Sequence, residues 1–194
     1  MNLFRCPWCL GDETYRSYHD REWGRPEKNS RKLFEALILD GAQAGLSWIT
    51  ILKRREGYRA AFDGFDPEIM ARYTEKKILR LMQDGRIIRN RRKIESAVKN
   101  ARAFLALTEK EGSFSKWLWN WVDGTPRINR FKTMGEIPAA TELSEKISGA
   151  LRERGFSFVG PTIVYAFMQA KGLVNDHLTD CFRHPDHGQG SRHA

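Results

Sequence analysis

Cysteine is scarce in this chain, with three among 194 residues, an odd count. An odd trio cannot close a disulfide framework, and it suits a reducing compartment where thiols bind metal or act chemically. Long apolar runs are missing too. No stretch approaches the ~18 apolar residues that a membrane-spanning helix needs. Arg5, Arg16 and Arg21 interrupt the front of the chain, so a secretory signal pattern is not expected. Together these absences predict a cytoplasmic protein with no membrane partner. No segment alternates apolar and polar residues with period two, which argues against a β-sheet core. Internal repeats, low-complexity blocks and inter-domain linkers are absent, so a solenoid is excluded. Acidic residues are outnumbered, 24 Asp and Glu against 33 Lys and Arg, for a formal net charge of +9. That balance favours a polyanionic partner, phosphate backbone before acidic membrane.

What remains is helical patterning, and the fold class expected is all-α. Ser30 is placed to cap a helix whose apolar face is Leu33, Phe34, Leu37 and Ile38. Asp40 is expected where that helix stops, and Gly41 and Gly45 bracket a short connector. Ser47 can cap the next helix, with Trp48 in its first turn and an end near Glu56-Gly57. Asp66-Pro67 has cap and first-turn proline in their favoured order. A helix opened by Thr74 breaks at 83–86, and a long helix over roughly 90–110 carries Ile94, Ala97, Val98, Ala101, Phe104 and Leu105. Ser113 starts a tryptophan-rich helix, 123–140 reads as loop, and helices follow at Thr141 to Gly155 and Pro161 to Lys171. A single domain over 1–183 is expected, with 123–140 as the place where two lobes would divide and 184–194 as a frayed tail.

Three constellations could carry chemistry. The corner around Gly41 and Gly45 brings the Asp40 carboxylate opposite the Trp48 indole, and Tyr18 and Trp23 add flat walls. A flat cation suits such a setting, through cation–π contact and a charge-assisted bond. The same residues also suit an ordinary corner with the rings in the core. Next, Gly85 to Lys93 joins two helices by a tight turn, and Arg89, Arg91, Arg92 and Lys93 crowd the start of the second. Cations there oppose the helix dipole, which favours a phosphate reading over a merely solvated helix start. Last, Cys6 and Cys9 lie near the front with His19, while His177 and Cys181 lie near the back. His177-x-x-x-Cys181 spaces its side chains for one face of a helical turn. Cys6 and His19 could complete a tetrahedral zinc shell, with Cys9 a rival to Cys6, and His184 or His187 a rival to His177.

Several blocks recur in one order: Arg5-Cys6-x-Trp8, Tyr18-His19-Asp20-x-Glu22-Trp23-Gly24, and Gly41-x-Gln43-Ala44-Gly45-Leu46-Ser47-Trp48. Ile87-Ile88-Arg89-Asn90-Arg91-x-Lys93-Ile94 and Phe158-Val159-Gly160-x-Thr162-Ile163 follow, then Met168-Gln169-Ala170 and Gly172 to His177. This series resembles the bacterial 3-methyladenine DNA glycosylase I family over residues 5 to 183. The resemblance implies a helix-hairpin-helix glycosylase fold acting on double-stranded DNA with alkylated bases; a monomer is expected. It implies one structural Zn²⁺ on Cys6, His19, His177 and Cys181, tying the two ends of the chain together. It implies that Tyr18 and Trp48 hold an extruded base, with Trp23 nearby and Asp40 as the acid that recognises its edge. The family has glutamate at that position, one methylene longer. Gly45 and Leu46 are candidates for contact with the duplex, beside the four cations. The Pro-Gly-Val-Gly type hairpin of the wider superfamily, and the catalytic aspartate that follows it, have no clear counterpart here. No lysine stands out as a Schiff-base nucleophile, so monofunctional hydrolysis is expected. The alternatives are a non-catalytic damage-binding module and a glycosylase of shifted lesion scope.

Overall fold

The computed structural model describes residues 3–187. The long helix α7 (Arg91–Glu111) lies at the centre, and Ile94, Ala97, Val98, Ala101, Phe104 and Leu107 form its buried stripe. Helix α2 (Ser30–Gln43) packs across it, with the rings of Phe34 and Phe104 4.8 Å apart. Helix α8 (Phe114–Trp119) closes the same core, its Phe114 ring 5.1 Å from Phe104. Each fully buried Phe or Leu contributes about 1.5–3 kcal/mol, so this junction dominates cohesion. Helices α5 (Pro67–Met70) and α6 (Glu75–Met82) cover α7 from another side. Helix α9 (Glu142–Glu153) packs on α10 (Pro161–Ala170), which in turn leans on α2. Caps expected at three starts are present. The Asp66 carboxylate accepts from Glu68 and Ile69, the Ser113 hydroxyl from Lys116, and Thr141 forms a reciprocal capping box with Ser144.

The mostly helical architecture agrees with the periodicity, but several details differ. Helix α2 does not stop at Asp40; it continues through Gly41 to Gln43. Gly41 lies where α2 approaches Phe158: an added Cβ would sit 3.4 Å from the Phe158 Cβ and from its carbonyl oxygen. The chain turns instead at Gly45, whose φ of +77° only glycine adopts easily. The cap of α2 is Asn29, not Ser30; the Ser30 hydroxyl accepts from the backbone of Ser115 and so ties α2 to α8. Ser47 sits at the cap position of α3 (Trp48–Leu52), but its hydroxyl bonds Thr50 Oγ1 at 2.8 Å rather than a backbone N–H. The second helix is also shorter than expected, because the chain breaks at 53–54 before α4 (Arg55–Ala61).

The 123–140 segment is not wholly loop. Strand β1 (Arg127–Ile128) pairs in parallel with β2 (Val174–Asn175), Arg127 opposite Val174. Two residues are too few to show alternation, so no sequence pattern announced them. The pairing leads residues 176–184 back to the N-terminal arm. Asp176, which comes next, is buried and accepts from Asn129, Tyr165 and Gln169 at 2.6–2.8 Å. The tail expected over 184–194 is packed at its start: His184 is buried and Arg130 pairs with Asp186 at 2.8 Å. Residues 188–194 lie outside the described residues.

Candidate functional site

Helix α1 (Glu13–Arg21) starts on Asp12, whose carboxylate accepts from the backbone of Thr14 and Tyr15. That start places Tyr15 and Tyr18 one turn apart on one face. Trp8 stands edge-on to both Tyr15 and Trp23, with ring centres 5.4 and 5.2 Å away. Tyr18 and Trp48 face each other at 5.7 Å with planes tilted by 48°. Between these rings lies a cavity of about 410 Å³, walled also by Asp40, Thr162 and Gln169 and bordered by Met134 and Pro138. Tyr18, Trp23, Asp40 and Trp48, chosen from sequence, thus line one space.

Two polar atoms in this wall have no partner. Asp40 is 3 % exposed, and its Oδ2 makes no hydrogen bond; neither does the buried Trp48 Nε1. An unsatisfied buried group costs about 1–3 kcal/mol, so two on one cavity mark a place that awaits a ligand. Burial pushes the Asp40 carboxyl up to about 7, and the positive charge of Lys171 offsets only part of that. Burial, then the Asp40 charge, also hold the Tyr18 phenol well above its usual value, so it stays protonated and able to donate. A second cavity of about 520 Å³ shares Tyr18, Asp40 and Trp48 with the first and is lined by charge, including Arg21, Arg55 and Lys171. Asp40 therefore stands between an aromatic space and one lined by paired charges.

The cysteine and histidine residues from opposite ends of the chain meet just behind this wall. The ligand atoms of Cys6, His19, His177 and Cys181 all lie within 4.8 Å of one another, and all four residues are buried. Cys181 Sγ is 3.4 Å from His19 Nε2 and 3.6 Å from His177 Nδ1, and Cys6 Sγ is 3.7 Å from His177 Nδ1. A tetrahedral S₂N₂ shell with metal–ligand bonds of ~2.0–2.3 Å has edges of about 3.3–3.8 Å; these three edges match it, and with every pair within 4.8 Å the four donors lie close to such a shell. The outer contacts fit as well. His19 Nδ1 lies 2.8 Å from Asp20, which Arg5 grips at 2.9–3.0 Å, and His177 Nε2 lies 3.2 Å from the Trp23 carbonyl. Burial would raise the Asp20 carboxyl, but the bonds from Arg5 and His19 outweigh it and hold it below the usual range. The backbone N–H groups of Leu178 and Arg183 point at the sulfurs of Cys6 and Cys181. With the sulfurs this close, the bond to Cys181 drives the Cys6 thiol up and that same bond draws Cys181 down.

The rivals drop out of the cluster. Cys9 turns its thiol to the Cys6 carbonyl at 3.1 Å, and His184 is occupied by the Asn129 carbonyl and the Asp186 N–H. His177 and Cys181 do not share a helical turn as their spacing suggested; they sit in an irregular segment with a tight turn from Leu178 to Cys181. Gly24 makes the close approach possible. Its φ is +74°, and an added Cβ would lie 2.9 Å from His177 Nε2. Gly24→Ala is expected to destabilise the protein by at least ~2 kcal/mol, from left-handed backbone strain plus the clash, as measured by urea unfolding.

The corner borders the cavity through Gln43 and Trp48, and the hairpin reaches the corner through Lys93. Leu46 is exposed to solvent just after Gly45. Arg89, Arg91 and Arg92 are exposed, but Arg91 is engaged by Glu75 and Glu95. Lys93 turns inward and donates to the carbonyls of Ala42 and Ala44. Trp8 and Tyr15 were not singled out as site residues. Tyr15 had a usable signal, the one-turn offset from Tyr18, whereas Trp8 reaches the wall only through the tertiary path of the arm.

Comparison with known proteins agrees with this geometry. Residues 8–184 match the family model described as methyladenine glycosylase. DNA-3-methyladenine glycosylase 1 of Escherichia coli K12 is 50 % identical over 181 residues, 93 % of this chain and 97 % of that protein. A crystal structure of a 3-methyladenine DNA glycosylase I superposes with a TM-score of 0.92 at 52 % identity, covering 94 % of this chain and 100 % of that one. A substituted 3-methyladenine DNA glycosylase I in complex with 3-methyladenine superposes with a TM-score of 0.90 at 38 % identity, covering 94 % of this chain and 98 % of that one. With a matching family model over nearly its whole length and relatives of half-identical sequence, the chain belongs to the methyladenine glycosylase family.

Proposed function

We infer that the protein excises 3-methyladenine from alkylated DNA, hydrolysing the N-glycosidic bond and leaving an abasic site for base-excision repair. The observation that carries this is the pair of buried, unpartnered polar atoms, Asp40 Oδ2 and Trp48 Nε1, on one aromatic-walled cavity. The activity for which the relatives are named supports the same reading. The chemistry asks little of the protein. A 3-methyladenine nucleotide is cationic, so its glycosidic bond is already weak and the base departs neutral. The enzyme must extract the base, hold it, and admit water to the oxocarbenium-like sugar. Flipping costs a few kcal/mol, less for a damaged base, and stacking against the Tyr18 and Trp48 rings returns about 1–3 kcal/mol. Asp40 complements the positive charge and accepts a bond from the base edge. Once the bond breaks, that Coulomb attraction disappears, which favours release.

Contact with the duplex is assigned to the corner and the hairpin. Leu46, with Gly45, fits the gap that the flipped nucleotide leaves. Helix α6, the turn over 83–90 and the start of helix α7 present a basic face to the duplex. The N–H groups at the start of α7 face a phosphate, and Arg89 and Arg92, with Arg91, supply charge. Zn²⁺ held by Cys6, His19, His177 and Cys181 has a structural part: four protein ligands leave it no open position. It fastens the N-terminal arm to the C-terminal segment behind the aromatic wall. Reduced cysteines in such a site fit a reducing cytoplasm.

The test is to incubate the protein with methylated DNA and identify the liberated bases by chromatography and mass spectrometry. Free 3-methyladenine is expected, with intact strands and no borohydride-trapped adduct. Binding to methylated DNA without any released base would replace excision with damage recognition alone.

A further inference from the structure

At the end of helix α2 the carbonyls of Gly41 and Gln43 accept from the backbone N–H groups of Ala44 and Leu46, whereas those of Ala42 and Ala44 are served by a side chain. At that end Lys93 Nζ lies 2.7 Å from the Ala42 carbonyl oxygen and 2.6 Å from that of Ala44. Ala42 is two residues beyond Asp40, and Ala44 is two residues before Leu46. The ammonium thus spans the stretch between the acid of the pocket and the apolar tip of the corner. Lys93 itself is fixed from below, since its backbone N–H donates to the capping side chain of Asn90 at 3.2 Å. Its charge also complements the negative end of the α2 dipole. Two of its three N–H donors are used inside the protein, while its neighbours Arg89 and Arg92 remain exposed.

We propose that Lys93 is a positioning residue: it clamps the carbonyl end of α2 so that Asp40 and Leu46 keep their places, and it does not contact the phosphate backbone. The inference rests on the excision reading above, because it concerns how that pocket is held in shape. It also joins the hairpin to the pocket through one side chain, so that the element docking on DNA and the element gripping the base move as one body.

Lys93→Met keeps the aliphatic stem and removes the donors. In this variant the affinity for free 3-methyladenine, read by calorimetry, is expected to fall by about tenfold or more, with kcat falling alongside while KM for DNA changes less. The slope of log binding constant against log salt for an undamaged duplex stays that of the parent. Lys93→Arg, which retains charge and donors, recovers most of the base affinity. A phosphate contact produces the opposite pattern, a salt slope smaller by about 1 with base affinity intact, and that result overturns the proposal. If Lys93→Met does not fold, the parent protein decides. Its Lys93 ammonium signal in nitrogen-15 NMR is expected to be visible without DNA and unmoved by an undamaged duplex; a shift on adding duplex overturns the clamp. Failure of the parent to bind 3-methyladenine would count against the excision reading instead, and the salt slope and ammonium signal would still judge Lys93.

Discussion

Asp40→Asn is expected to lose about 10- to 100-fold in kcat/KM for 3-methyladenine excision, and to melt at a higher temperature than the parent at pH 8. The loss follows from removing the one charge that complements a cationic base, since a hydrogen bond to a charged group is worth about 1.5–3 kcal/mol. The gain follows from linkage. Burial raises the Asp40 carboxyl from 3.8 to about 7, so the folded protein binds this proton more tightly than the unfolded chain. Below about pH 4 both states are protonated and the residue costs nothing. Between about pH 4 and 7 the unfolded chain ionises first and stability falls, and above pH 7 the penalty is complete. A shift of that size corresponds to a few kcal/mol, and an amide at the same place still lacks a partner. The net gain is therefore roughly 5 °C in Tm at pH 8, vanishing near pH 4. Activity of the parent should show the mirror image, a limb that falls as pH drops through about 7. The damaged nucleotide keeps its charge at every pH, so that limb reports the acid and not the substrate. Melting curves and single-turnover rates of both proteins across pH 4–9 check all of this. An Asp40→Asn protein that excises at the parental rate would remove the acid from the site. Asp40→Glu extends the comparison, because it restores the length of the family's acid and asks whether the shorter side chain sets the rate.

The other large effect is expected at the cluster of Cys6, His19, His177 and Cys181. The purified protein should carry one zinc per chain by mass spectrometry of the metal, and Cys181→Ser or His177→Ala should carry none. Loss of the ion leaves His19 and His177, and the two sulfurs, in a space with no other common partner. Zinc contributes about 10–16 kcal/mol to the folding of small zinc modules. Here a large core survives without it, so a share of that is expected: a Tm lower by about 10 °C or more. Excision should fall as well, because His19 is the neighbour of Tyr18 on α1 and His177 stacks edge-on against Trp23 at 4.6 Å. The pocket wall and the cluster are one packed unit. Restoring zinc to chelated parent protein should restore both Tm and activity. A metal-free preparation with parental melting and excision would dismiss the ion as a structural element.

The helices were legible because helix signals are local. Caps such as Asp66 and Ser113, and the stripe on α7, depend on residues within four positions of each other. The types of side chain that make the site were equally plain: two thiols, two imidazoles, one acid and several rings. What sequence alone left open were questions of distance across the chain. Choosing Cys6 over Cys9 rested on resemblance until the fold set Cys6 beside His177, 171 positions away. The inward turn of Lys93 is a contact with a helix end 49 and 51 positions earlier, which no motif could announce. The approach of Phe158 to Gly41 on α2 is likewise a contact between positions far apart in the chain. Residue chemistry and short-range periodicity by themselves determined a helical, basic protein carrying thiols and imidazoles near its ends and an acid among aromatics. Only the tertiary structure decided that the Asp40 oxygen and the Trp48 nitrogen stay without partners. A missing partner is a property of everything packed around an atom, and no stretch of neighbours along the chain contains it.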